Sequence, residues 1–209
     1  GACSGCEITT GDNNTIIGCN GMREMTTGRL NIAIGVKPAP NQQTGQQNIY
    51  MGLFAGMGKT DGKLNVEIGD NAGRALAGGN PGASGCRNTF LGAGSGSNQF
   101  YEFGDVNKFE GNTYLGAGAG RLQLYHNAPE VKRNIFLGSY SGHLFNACFV
   151  SSHNRPVDNV VIGSCAATYN SGAHNVFLGA YANKRDNTGI GFTYSATCFS
   201  IGIGHSVCL

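Results

Sequence analysis

A five-residue unit recurs along this chain: asparagine, a β-branched residue, a variable residue, an aliphatic residue, then glycine. It reads NTIIG from Asn14, NIAIG from Asn31, NIYMG from Asn48, NVEIG from Asn65 and NTFLG from Asn88. It continues as NTYLG from Asn112, NIFLG from Asn134, NVVIG from Asn159, NVFLG from Asn175 and NTGIG from Asn187. SIGIG from Ser200 closes the series at eleven copies. Such self-similarity points to a stack of near-identical layers, each leaning on its neighbours, rather than to an ordinary globular core.

Positions two and four of the unit share one face of an extended chain, because side chains alternate along a strand. They are consistently aliphatic or β-branched, which suits a pleated surface. The expected core ladder is therefore Ile17, Ile34, Met51, Ile68, Leu91, Leu115, Leu137, Ile162, Leu178, Ile190 and Ile203. Glycine ends each strand, and a small residue follows at Ala55, Ala72, Ser95, Ala119, Ser141, Ala166 or Ala182. Another glycine precedes several asparagines by three residues, at Gly28, Gly45, Gly62, Gly85 and Gly172. Turn chemistry predicts a positive φ there. The asparagines are expected to bond to their equivalents above and below, or to turn backbone.

Successive units are 17, 17, 17, 23, 24, 22, 25, 16, 12 and 13 residues apart. The shortest interval leaves room for two short strands and two tight turns. Longer ones carry loops, notably across 97–110 and 143–158. This predicts an all-β fold, a parallel β-solenoid of about eleven coils over residues 14–209, with residues 1–13 as a cap or the tail of a preceding coil. At about 4.8 Å per coil the rod would be roughly 50 Å long.

Composition narrows the choice. Glycine supplies 35 of 209 residues, but not at every third position, and 5 prolines are too few for collagen. Hydrophobic residues make up 40% and fall in regular clusters, which argues against disorder. Net charge is +2 with no basic stripe, so no nucleic-acid partner is expected. No apolar run approaches the roughly 18 residues of a membrane span. The chain opens on Gly1 without a signal peptide, and an excerpt of a longer chain is the expectation.

Position three points away from the expected core. Its occupants include Tyr50, Phe90, Tyr114, Phe136 and Phe177. Exposed aromatics in a column would be a sticky patch, so these five are expected to face sister chains in a homotrimer. The other solution is a cover made by the chain's own loops.

Segments such as SGCRNTFLGAGSG, NTYLGAGAG and NIFLGSYSG resemble the asparagine- and glycine-rich repeats of tail and capsid fibres from marine bacteriophages, especially cyanophages. They are also similar to the head repeats of trimeric autotransporter adhesins. The resemblance implies a left-handed parallel β-roll, trimeric and extracellular, at a virion or cell surface. Its partners would be copies of itself, neighbouring fibre or virion proteins, and a host-surface glycan or protein. A bacterial adhesin head is the alternative, and the long, uneven intervals here favour the phage-like repeats.

Motifs for chemistry are weak. GLFAGMGKT, Gly52 to Thr60, puts five residues between Gly52 and Gly58 where a phosphate loop needs four. The Ile-Gly and Leu-Gly pairs are similar to left-handed-helix acyltransferase repeats, but those recur every six residues. His126, His143, His153, His174 and His205 occupy different phases of the repeat. Cys3 and Cys6 form a lone C-x-x-C, while Cys19, Cys86, Cys148, Cys165, Cys198 and Cys208 are scattered. The expectation is a non-enzyme with no cofactor, no metal and no catalytic residue.

Overall fold

The computed structural model describes residues 1–74, 85–97, 100–101, 109–121, 124–125, 131–143, 157–168, 172–183 and 199–205. Ile190 and its NTGIG unit, His126, His153, Cys148, Cys198, Cys208 and most of both long loops lie outside the described residues.

The fold is all-β, with no helix among the described residues. Each described repeat unit forms a strand, while shorter strands arise within the longer intervals. In chain order these are β1 (Thr15–Cys19), β2 (Ile32–Val36), β3 (Ile49–Met51), β4 (Val66–Ile68) and β5 (Thr89–Leu91). Next come β6 (Phe100–Tyr101), β7 (Phe109–Glu110), β8 (Thr113–Leu115), β9 (Leu124–Tyr125) and β10 (Val131–Lys132). The last are β11 (Ile135–Leu137), β12 (Val160–Ile162), β13 (Val176–Leu178) and β14 (Ile201–Ile203).

Ten of them form one parallel sheet in the order β1-β2-β3-β4-β5-β8-β11-β12-β13-β14, the arrangement of a parallel solenoid or roll. Equivalent residues face each other: Phe90 lies opposite Tyr114, Tyr114 opposite Phe136, and Phe136 opposite Val161. β13 pairs directly with β14, so rung nine passes straight to rung ten. Within the long intervals, β6 pairs β9 and β7 pairs β10, also in parallel. Those loops begin and end as part of the stack rather than as free projections.

The inside of the stack reverses the expected faces. Tyr50, Phe90, Tyr114, Phe136 and Phe177, expected at a subunit interface, are completely buried within their own chain. The expected core ladder faces out: Ile17 is 57% exposed and Ile203 67%, with Ile68, Leu115 and Ile162 each above a third. Ile34, Met51, Leu91, Leu137 and Leu178 are half-buried on the same outer face. The physical reason lies in the width of the layer. Each strand sends only its odd positions inward, and the single large side chain at position three must span the interior. Phe90 and Tyr114 stack with centroids 4.9 Å apart, and Tyr114 and Phe136 with 4.7 Å. These spacings match the distance between neighbouring strands.

The small residues expected after each strand do line the opposite wall. Ala55, Ala72, Ser95, Ala119, Ser141, Ala166 and Ala182 are all fully buried. Beyond them, the residue six positions after the inward side chain is matched to its size in most rungs, with Asn183 after Phe177 departing from the pattern. An added Cβ at Gly120 would come within 2.5 Å of the Tyr114 ring, and at Gly142 within 2.5 Å of the Phe136 ring. Where position three is smaller, as at Ala33 and Val161, the equivalent places hold Ala39 and Ala167, both buried.

The asparagines form the continuous polar element of the interior. The Asn112 side-chain amide donates to Asn88 Oδ1 at 3.0 Å and to the Val131 carbonyl at 3.0 Å. Its own Oδ1 accepts from the Asn134 backbone N–H at 3.1 Å and the Asn134 side-chain amide at 2.9 Å. Both donors and both lone pairs are used, a pattern neither aspartate nor serine can supply. The same bonds run from Asn14 to Asn175, and Ser200 ends the series by donating its backbone N–H to Asn175 Oδ1. The buried amides of this series are tolerated because they are hydrogen-bonded to one another and to turn backbone.

Turn geometry differs from expectation in one respect. Gly28, Gly45, Gly62 and Gly85 do not carry positive φ; at Gly28 a Cβ would instead strike a neighbour, lying 2.7 Å from the Gly45 oxygen. The left-handed residue is the one just before each asparagine, usually not glycine: Leu30, Gln47, Leu64, Arg87, Arg133, Asp158, His174 and Phe199. Gly172, at φ +123°, does meet the expectation.

Candidate interaction surface

Two surfaces could meet another molecule. The first is the outer face of the main sheet. Positions two and four alternate outward on every rung, so the face carries two parallel columns of aliphatic side chains and threonines. No charged residue stands at these positions in any of the ten rungs. Exposure is greatest at the two ends, where Ile17, Ile201 and Ile203 lack a rung on one side.

The second surface is the corner leading into each strand. Arg29, Gln46, Lys63, Cys86, Glu110, Lys132 and Val157 stand two residues before successive asparagines and bridge one another in parallel or through β7 and β10. The residues one place later point outward because their φ is positive. Lys63, Leu64, Cys86, Arg87, Glu110 and Lys132 line a shallow cleft along this corner. Arg87 is paired with Glu110, while Lys132 Nζ lies 4.0 Å from Glu110. One rung on, Arg133 makes a two-pronged pair with Asp158 at 2.6 and 2.8 Å. Those hydrogen bonds, more than the opposing effect of burial, hold the Asp158 carboxyl below the usual carboxylate range. His174 Nδ1 lies 3.6 Å from Asp158, and its ring stacks on Phe199 at 4.8 Å. This charged corner is legible in the sequence only once the residues before each asparagine are aligned.

The described histidines, His143, His174 and His205, each have their own surroundings. His143 packs edge-on to Tyr140, and burial together with the Arg121 charge lowers its pKa. His205 sits against Tyr181. Cys3 and Cys6 are exposed free thiols, whereas Cys19, Cys86 and Cys165 are half-buried and also free. Among the described residues no three metal-binding side chains cluster, and no helix is long and apolar enough to cross a membrane. Lys59, the lysine of the GLFAGMGKT segment, points inward with 3% of its surface exposed, paired with Glu67. Its amine is turned away from any phosphate outside.

Comparison with known protein families, curated proteins and solved structures finds no match.

Proposed function

We propose that the chain is a structural and attachment module of a virion fibre, a rigid rod assembled as a homotrimer and presenting its corners and loops to a host surface. The observation that carries this reading is the charge-free aliphatic ladder on the outer face of the main sheet. Ten rungs at about 4.8 Å make a strip roughly 45 Å tall. Contiguous apolar surface of this kind on a soluble rod marks an association site. Three copies side by side about a common axis would bury all three strips in one closed interface. The interface is thus made by positions two and four, with Met51, Ile68, Leu91, Leu115 and Leu137 at its middle, and not by the inward aromatics.

The fibre assignment rests on the resemblance of the repeats, as does the left-handed path of the coil. The variable intervals and the charged corner supply the sequence diversity that attachment to a glycan or protein requires on a rigid scaffold. Neighbouring fibre or virion proteins would contact the open ends of the rod.

Two measurements test the proposal. Light scattering on the purified chain is expected to give three times the chain mass. The double substitution Leu115→Glu and Leu137→Glu should give monomers with unchanged far-ultraviolet dichroism, since both side chains lie outside the layer. A wild-type chain that stays monomeric at high concentration rules out the trimer. Separately, antibodies against this chain are expected to decorate fibres in electron micrographs of the native particle; labelling of bacterial surfaces instead would favour the adhesin.

A further inference from the structure

Among the described residues, charged side chains enter the interior at one place. One cluster holds Met22, Met25, Ala33, Ala39, Tyr50 and Ala55, and the other runs from Ala72 and Phe90 to Phe177 and Ala182. Between them, on β4, position three is Glu67, with no exposed surface, and Lys59 reaches it from across the layer. The residue eight places before position three spans the interior in each of three successive rungs. Met25 packs in the cluster of Ala33, Gln42 Oε1 accepts from the Tyr50 hydroxyl at 2.7 Å, and Lys59 meets Glu67.

The preceding rung fills the same space with a neutral hydrogen bond. An ammonium and a carboxylate are far costlier to strip of water, and a buried ion pair recovers that cost only when every remaining donor and acceptor is satisfied. Here they are not. Glu67 Oε2 has no hydrogen-bond partner. It is pressed against the backbone of Gly73, where an added Cβ would lie 2.1 Å from it, and against Gly56, where the distance would be 3.1 Å. On the far side the Lys59 amine lies 5.5 Å from the centre of the Phe90 ring. Burial raises the Glu67 pKa, with Lys59 opposing, so the site favours the uncharged acid more than water does.

We propose that Lys59 and Glu67 join through an isopeptide bond between Nζ and Cδ, a covalent cross-link across the interior that the chain forms on itself. A proton passes from the ammonium to the carboxylate within the pair, leaving a neutral amine and a neutral acid. The Nζ lone pair attacks Cδ and the new C–N bond forms. The C–Oε1 bond then breaks, and Oε1, the oxygen that faces Nζ, leaves as water with the two protons that Nζ gives up, while Oε2 stays as the amide oxygen. Nothing is oxidised or reduced, and no outside reactant is needed. In bulk water this condensation is opposed chiefly because the separated ions are so well hydrated; inside the layer that hydration is already lost. Holding the two groups in contact is equivalent to concentrations on the order of 10⁵–10⁸ M. The amide product carries no charge, and Lys59 and Glu67 thereby reach the neutral state that Gln42 and Tyr50 have by composition.

The full chain, folded and treated with a reductant, is expected to weigh one water less than its sequence requires. Digestion and tandem mass spectrometry should yield a branched peptide joining residues 59 and 67. The paired substitution Lys59→Gln and Glu67→Tyr copies Gln42 and Tyr50 of the preceding rung, where position three likewise rests on a glycine, so the layer remains filled. This variant should fold and show the full sequence mass. Wild-type chain that is folded and keeps its full mass after prolonged incubation at growth temperature overturns the proposal. So does a mass deficit that maps anywhere other than Lys59 and Glu67.

Discussion

Phe136→Ala is expected to destabilise the chain by about 3–5 kcal/mol in urea unfolding, whereas Leu137→Ala, one residue along, costs about 1 kcal/mol or less in the monomer. Phe136 is fully buried, lies nearly parallel to Tyr114 at 7°, and rests on Gly142. Backbone hydrogen bonds of 2.8 Å on either side, from Thr113 N–H to the Asn134 carbonyl and from Ile135 N–H to the Asn159 carbonyl, fix the rung spacing. The layer therefore cannot close around the missing ring, and a cavity remains. Leu137 faces out and loses only partial burial. In an assembled trimer its truncation would appear as weaker association instead, so both unfolding curves belong at a concentration where the chain is monomeric. A larger loss for Leu137→Ala under those conditions would restore the opposite orientation of the strands.

Gly92→Ala is the second large effect, expected to cost on the order of 3–5 kcal/mol although it buries nothing and removes nothing. Where the backbone permits, exchanging glycine for alanine stabilises a protein by about 0.4–1 kcal/mol through the unfolded state. Gly92 has φ +129°, and an added Cβ would lie 2.7 Å from both the carbonyl carbon and oxygen of Gly116. That neighbour is itself fixed, since a Cβ on Gly116 would meet the Gly138 oxygen at 2.5 Å. No side chain can move aside, so the strain falls on the sheet. Gly111 provides the contrast: its φ is +68°, and an added Cβ meets only Arg133, at 3.6 Å or more. Gly111→Asn should be near neutral, because the equivalent position in other rungs accepts Leu, Gln, Arg and Asp. Thermal unfolding followed by dichroism separates the two; equal midpoints would show that the glycine column is not a close backbone contact.

Much of the fold was legible before any coordinates. Alternation and spacing located every described strand of the main sheet, and the small residues from Ala55 to Ala182 were recognised as a recurring feature after each strand, though not as a wall of the interior. The error concerned which face is inside. Alternation separates positions two and four from position three but does not rank them, and both sets are apolar. The decision went to two aliphatic residues over one aromatic. The asparagine held the answer, for Asn112 and Tyr114 share a face by alternation, and an amide bonded on all sides belongs indoors. The match in size between position three and the residue six later points the same way, as with Tyr114 above Gly120 and Val161 above Ala167. The corner conformation was hidden because leucine, glutamine and arginine give no signal of a left-handed φ. Lys59 and Glu67 were missed as a pair because eight residues is the width of this particular layer, not a general helix or strand period.

The asparagine series has a further consequence for how such a chain changes length. Each asparagine is read twice, by the unit before it and by the unit after it. A substitution at one copy therefore spoils two joints, and no second substitution nearby restores both. Copying a whole unit is different: the duplicate presents to both neighbours the surfaces they already fit. Inheritance can lengthen or shorten the rod in complete steps, and can drift in the segments between, while the letters at each step stay fixed.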